Sequence, residues 1–294
     1  MTTPIPFHAL QVDVGIPDFR QEELIEAWRQ AHYAAQAEAE IGKSWADPKD
    51  DDSHSSSRWL STADWRGLEG VPAAGAKPHR ARLELESMTL GLHASDGSAV
   101  ASMALSGRTL AEAMQWISDT GEQELGARRQ PARPAPDLPE HRIAEGEAFA
   151  PTGPAHLHLA ELYDITARVL GQLRGVAPAL EAPSCWPHHF DLASLATIAT
   201  DEEGALTQSI GLGLTPPDSF EPSGYWYVSP WSRAGEKADP SSVPGLTAGE
   251  WRARESLPMA VLPLGAIHRG SEGSEQLARF MAEAWGGAQT LLGR

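Results

Sequence analysis

Apolar residues recur at helical spacing in four stretches of the chain. Leu24, Trp28, Ala31 and Ala35 do so within an Ala-, Glu- and Gln-rich run, predicting a helix from Gln21 to about Glu40. Leu110, Ala113, Met114 and Ile117 form a second stripe behind Thr109-Leu110-Ala111-Glu112, a capping box that marks a helix start. Leu159, Leu162, Thr166, Leu170 and Leu173 predict a helix over 155–173. Leu277, Phe280, Met281, Ala284 and Trp285 predict a last one from Ser274, weakened or ended by Gly286-Gly287.

Alternation of apolar and polar residues predicts strands between these helices. Residues 82–93 alternate with a slip at Ser87-Met88, which predicts a bulge. Ser95-Asp96-Gly97-Ser98 is a hairpin turn, and 99–105 is the return strand. Further strands are predicted at 192–200 and 205–214, around an Asp201-Glu202-Glu203-Gly204 turn, and at 225–228 and 259–264. Gly211-Leu212-Gly213 lies inside a strand pattern, where glycine marks a bulge or a close backbone approach rather than a phosphate loop.

The resulting expectation is an α+β fold of antiparallel hairpins covered by helices. Each half reads helix, polar motif with His and Trp, hairpin, helix, an order that an internal duplication would explain. The expected organisation is an N-terminal half over 1–125, a Pro- and Arg-rich connector over 126–153, and a C-terminal half over 154–294. Residues 1–20 are expected to form an extended arm packed on the body.

Composition narrows the functions. The chain has 294 residues, 41% hydrophobic and 21% charged, which is globular. Forty acidic against 23 basic residues give a formal net charge of −17, and no basic stripe is present. Nucleic acid and anionic membrane surfaces are therefore disfavoured as partners. No segment approaches ~18 consecutive apolar residues, so no transmembrane helix is expected. Residues 1–10 lack the pattern of a signal peptide, and the single cysteine, Cys185, fits a reducing compartment, so a cytoplasmic location is expected. Ten tryptophans either complete a core or line a pocket.

The outstanding local feature is Trp186-Pro187-His188-His189-Phe190-Asp191. On a strand, His189 and Asp191 would share one face and His188 the other. Asp52 and His54 have the same spacing, within a polar loop over 47–57. If the two motifs meet, Asp52, His54, His189 and Asp191 could ligate a divalent metal. His54, His188, His189 and Asp191, with Tyr225, Tyr227 and Trp231, could instead line a pocket for a small polar ligand. A third reading pairs each His with its Asp and the backbone in a buried polar network. Asp218 and Glu221 stand beside the aromatic run, which an edge strand under a Pro-rich loop would also explain. His156 and His158 lie near a helix start, where capping or exposure is expected, and Cys185 is expected as a small buried hydrophobe.

Asp51-Asp52-Ser53-His54-Ser55, Cys185 to Asp191, Ser209 to Leu214 and Tyr225-Trp226-Tyr227-Val228-Ser229-Pro230-Trp231 together resemble a family of uncharacterised bacterial proteins with a Trp-Pro-His-His-Phe-Asp signature. The resemblance spans most of 20–285 in order. It implies no activity and supplies no catalytic roles. The family's Trp-His-Thr segment is replaced here by Gly249-Glu250-Trp251-Arg252, a departure that weighs against a metal site. Function therefore stands open between a ligand-binding or accessory protein, a metal-dependent hydrolase, and a structural or interaction protein.

Overall fold

A computed structural model describes residues 10, 14–74, 78–128 and 138–293 of the chain. They divide into two compact units. The first comprises Phe19–Asp164 with Ser184–Phe190; the second comprises Ile165–Pro183, Asp191–Arg294 and the described part of Met1–Asp18. Mixed helices and antiparallel strands make the chain α+β.

The first unit opens with α1 (Gln21–Glu38) and α2 (Glu40–Trp45). Strands β1 (Ser57–Ser61), β2 (Arg66–Gly70), β3 (Arg80–Glu84), β4 (Thr89–His93) and β5 (Ala99–Ala104) follow, then α3 (Leu110–Leu125). Helix α4 (Gly153–Val176) leads out of the unit, and β6 (Ser184–Cys185) returns to it, pairing antiparallel with β1. The sheet order is β6-β1-β2-β3-β4-β5. Register places Leu68, Leu83 and Leu90 in one row and Ala81 and Leu92 in the next, all nearly inaccessible to solvent. This face packs with α1 and α3, and each buried leucine contributes about 2 kcal/mol. The opposite face carries the row Arg58, Glu69, Arg82 and Gly91.

The second unit holds the C-terminal part of α4, then β7 (Leu192–Thr200), β8 (Leu206–Thr215), β9 (Tyr225–Ser232), β10 (Glu250–Arg252), β11 (Met259–Pro263) and α5 (Gly270–Leu291). Its sheet order is β7-β8-β9-β11-β10. Leu212, Val228 and Ala260 form one fully buried row with Trp251 at its end. A Cβ on Gly287 of α5 would lie 2.4 Å from the Trp251 ring, so this is the helix-covered face. Trp226, on the same face, donates from its indole nitrogen to Thr166 Oγ1 of α4 at 2.9 Å. Ile16 and Gly270 exchange backbone hydrogen bonds, and Ser274 donates to the Val14 carbonyl, which ties the described part of the N-terminal arm to the start of α5.

Several expectations change. Residues 82–93 are not one bulged strand: the chain reverses after β3, with Met88 at φ 50, and β3 and β4 form a hairpin. Helix α5 runs through Gly286-Gly287 to Leu291, because the missing side chain at Gly287 is what admits Trp251. On α3, Ala113 and Ile117 are buried as expected, but Leu110 and Met114 are only half-buried. Ser118 and Gly121 complete the buried face, with the Trp45 ring 2.7 Å from where a Cβ on Gly121 would stand. Within the expected connector, residues 129–137 lie outside the described residues, and Ile143 and Phe149 are buried. His156 neither caps nor faces solvent; it is fully buried, and among the described residues neither ring nitrogen has a hydrogen-bond partner. Among the described residues no helix is long and apolar enough to cross a membrane.

The capping box forms as read from the sequence: Thr109 Oγ1 accepts from the Glu112 backbone N–H, and the Glu112 carboxylate accepts from the Thr109 N–H at 2.7 Å. Thr109→Ala removes the hydroxyl half of this exchange. It is expected to lower the free energy of unfolding by about 1 kcal/mol, measured by urea denaturation; an unchanged midpoint would count against the cap.

Candidate functional site

The 186–191 segment is not a strand. Strand β6 ends at Cys185 and β7 begins at Leu192. Between them the backbone N–H groups of His189 and Phe190 both donate to the Trp186 carbonyl, at 3.1 and 2.6 Å, closing a tight turn. Phe190 sits at φ 54, in the left-handed region, which costs an L-residue with a Cβ about 1–2 kcal/mol. Strand alternation therefore does not apply to the two histidines. Their rings lie side by side, with centroids 4.2 Å apart, and Trp186 meets His188 edge-on at 6.0 Å.

A buried network beneath the turn holds it. The Phe190 ring stacks on His32 of α1, centroids 5.3 Å apart and planes 14° from parallel. Tyr163 of α4 donates its hydroxyl to the Phe190 carbonyl at 2.6 Å, and the Trp28 indole N–H donates to that hydroxyl at 3.0 Å. The Pro187 carbonyl accepts from the Gln36 side chain and from His32 Nε2, the latter at 3.0 Å. A carbonyl can only accept, so His32 carries its proton on Nε2. Burial pushes His32 down to about 4, against the Pro187 bond, and the charges of His189 and His188 push it the same way.

The Asp52-His54 motif comes to this turn. In the antiparallel β1–β6 pair, Ser57 faces Cys185. Residues 52–56 and 186–190 therefore leave the same end of that pair. Asp52 adopts φ 56 and precedes a 3-10 turn over Ser53–Ser55. The His188 ring is held below the usual histidine range, first by burial, then by His189 and Lys43, with the Asp52 carboxylate opposing. Asp52 is thus in electrostatic reach of His188, the histidine that strand alternation would have turned away.

His54 has a local task. It is buried, and its Nδ1 accepts from the Lys49 backbone N–H at 3.2 Å. Its carbonyl oxygen lies 2.3 Å from where a Cβ on Gly42 would stand, so glycine at 42 lets α2 approach the turn. His189 is exposed and His188 half-buried, and no hydrogen bond engages either ring among the described residues.

Asp191, Tyr225 and Tyr227 are brought together in the second unit, and Trp231 stands apart from them toward the other end of β9. Tyr225, Tyr227, Ser229 and Trp231 alternate onto the face of β9 opposite Trp226, and Asp191 immediately precedes β7. Tyr227 donates to Asp191 Oδ2 and Tyr225 to Asp218 Oδ2, both at 2.9 Å. Burial first, and then the neighbouring carboxylate, raises both phenols above their ordinary range, so both remain donors. Gly213 faces Tyr227 and Gly211 faces Ser229 across the β8–β9 pair. Trp231 is 42% exposed at the end of the row. Strand β9 is not an edge strand: it lies between β8 and β11. The Pro-rich excursion is fastened to the sheet by Arg252, which donates to the Phe220 carbonyl and to Glu221 at 3.1 and 3.0 Å.

Cys185 is a buried thiol outside any disulfide. Among the described residues no three His, Cys, Asp or Glu side chains converge to hold a metal. His54 Nδ1 is engaged by backbone, and Asp191 accepts from Tyr227, so the set Asp52, His54, His189 and Asp191 gains no geometric support. Sequence reasoning passed over the supports of the turn. Trp28, His32 and Gln36 recur at intervals of four along α1, and polar residues on an otherwise apolar helix stripe were the available signal.

Tyr163→Phe leaves the Phe190 carbonyl and the Trp28 indole N–H without their shared partner. It is expected to cost about 2 kcal/mol of stability, read from denaturant midpoints; a loss within error would show that the network is not what holds the turn. His32 also sets a pH dependence. With a folded value of about 4 against 6.5 unfolded, the unfolded chain binds more protons between these limits. Stability should therefore fall as pH drops from 6.5 to 4, by up to about 3 kcal/mol, and His32→Gln should flatten that fall. An equally steep profile in the variant would assign the effect elsewhere.

No family model matches this chain, and no curated protein and no solved structure matches it.

Proposed function

We propose that this chain is a ligand-binding protein that takes a small polar molecule at the His188-His189 turn. One observation carries the reading: two imidazoles sit 4.2 Å apart, without hydrogen bonds to either ring among the described residues, on a turn whose backbone is fixed from beneath. Backbone strain tends to gather at functional positions, where the surroundings hold the strained residue in place. His188, neutral at pH 7, offers one donor and one acceptor, and Trp186 supplies an apolar wall. Asp52 and Lys43 bring one charge of each sign within reach of His188. The ligand class that suits these groups is a compact molecule with several hydroxyl, carbonyl or amine groups.

The test is an NMR titration of the His188 and His189 ring protons against a panel of monosaccharides, amino acids and nucleosides. At least one class is expected to shift both rings saturably, with a Kd between about 1 μM and 1 mM, and His188→Ala should abolish the shift. A panel that leaves both rings unmoved, with the fold intact by circular dichroism, sinks the reading.

The Pro187 carbonyl, which accepts from both His32 and Gln36, favours a second reading in which the segment is a structural staple. Under it the panel fails and Gln36→Leu alone lowers stability.

The cytoplasmic location and the kinship with the uncharacterised bacterial family belong to the same proposal. Internal duplication is part of it too. Both units follow a helix with an antiparallel run of strands and then a helix, which supports it, whereas the last strand lies at the sheet edge in the first unit and inside it in the second.

A further inference from the structure

The polar face of the first unit's sheet gathers more positive charge than its architecture uses. Glu69 is almost wholly buried in the middle of β2, flanked in register by Arg58 on β1 and Arg82 on β3. Arg58 donates to Glu69 Oε1 from Nε at 2.8 Å and also from its terminal nitrogen. Arg82 donates to Oε2 from Nε at 2.7 Å, with a terminal nitrogen at 2.6 Å. Both carboxylate oxygens are thus taken by two guanidinium groups.

Arg80 is a third. Its Nε stands 3.8 Å from Glu69 Oε1, too far for a hydrogen bond, and its NH1 donates to the Gly70 carbonyl at 3.0 Å. Burial first, and then the charges of Arg58 and Arg82, hold Arg80 below the usual guanidinium range against the pull of Glu69. One carboxylate against three guanidinium groups leaves two uncompensated positive charges, in a chain whose net charge is −17.

Donor capacity is left over as well. Arg82 NH1 points at His93 Nδ1 at 3.5 Å, but Nδ1 also contacts the Gly97 carbonyl at 3.2 Å and must carry the proton there. Arg82 NH1 therefore finds no acceptor in His93. The Arg58 side chain is 60% exposed and the Arg80 side chain 32%, so their remaining N–H groups face solvent. Trp65 lies against the Arg82 guanidinium, 5.4 Å from centroid to carbon, and limits its swing. Among the described residues Glu86 pairs with Arg66, and Glu84 accepts from the neutral Ser87 hydroxyl and makes no ion pair with the three arginines.

We propose that Arg58, Arg80 and Arg82 form a binding site for a phosphate-type dianion, free or as the phosphomonoester of a small molecule. Guanidinium forks match the spacing of phosphate oxygens, and a dianion cancels the local excess of two charges. The site is separate from the His188-His189 turn, and its test does not depend on that proposal.

Isothermal titration of the full chain with inorganic phosphate, at low ionic strength and a pH where the dianion dominates, decides the matter. One saturable site is expected, weakened about tenfold in Arg80→Gln and unchanged in the exposed control Lys237→Gln. Arg58→Gln is the second variant, because Arg82 still pairs with Glu69 there, and it should weaken phosphate comparably. Phenyl phosphate forms the other arm: tighter binding than inorganic phosphate assigns the site to phosphomonoesters, and equal or weaker binding assigns it to the free ion. No saturable heat, wild-type affinity in both arginine variants, or the same response to chloride at matched ionic strength would each overturn the site.

Discussion

Phe190 occupies a backbone region that a phenylalanine enters only against a steric penalty, and the Tyr163 hydroxyl bonded to its carbonyl is what keeps it there. The hydroxyl is itself held by the Trp28 indole, so one oxygen ties α1, α4 and the turn into a single hydrogen-bonded chain. Stacking against His32 fixes the Phe190 ring from a second direction. With the ring and carbonyl fixed, the chain must reverse at Trp186, and His188 and His189 are carried to the outside as a pair. Their proximity follows from what lies beneath the turn rather than from any bond between them.

The strands of the two units obey one constraint with different outcomes. Alternation along each strand gives its side chains two faces, and in both units helices cover one of them. The opposite face is where chemistry collects. In the first unit it holds a buried carboxylate among guanidinium groups; in the second it holds two tyrosines bonded to carboxylates, one of them opposite a glycine. Glu69 can be buried at all because two charge-assisted pairs meet it in register, and truncating one partner of such a group is far costlier than its net contribution suggests.

Much of the fold was legible because strong local signals acted alone. The Thr109 capping box, the Asp96-Gly97 turn and the alternation of 192–200 each appear where the sequence places them. The failures have physical causes. At 87–88 a two-sided pattern reads equally as a bulge or as a reversal, and only the positive φ of Met88 separates them. β6 has two residues and β10 three, too few for a period to register. At the candidate site, residue identities were visible but their directions were not. The period-2 rule split His188 from His189, whereas the turn at Phe190 brings their rings together. His32, Gln36 and Tyr163, which decide the geometry, lie on helices whose apolar stripes drew attention away from their polar members.

β6 pairs with β1 although more than a hundred residues of chain lie between them. During synthesis β1 emerges long before its partner, with one side of its backbone unpaired. Until Ser184 and Cys185 arrive, that bare edge is open to any other extended segment, including β1 of a neighbouring nascent chain. A fragment cut at Asp164 would keep the edge permanently uncovered and would lack the turn altogether. The strip that carries the two histidines is therefore also the last piece of the first unit's sheet to be laid down, and it closes the edge as it sets the rings in place.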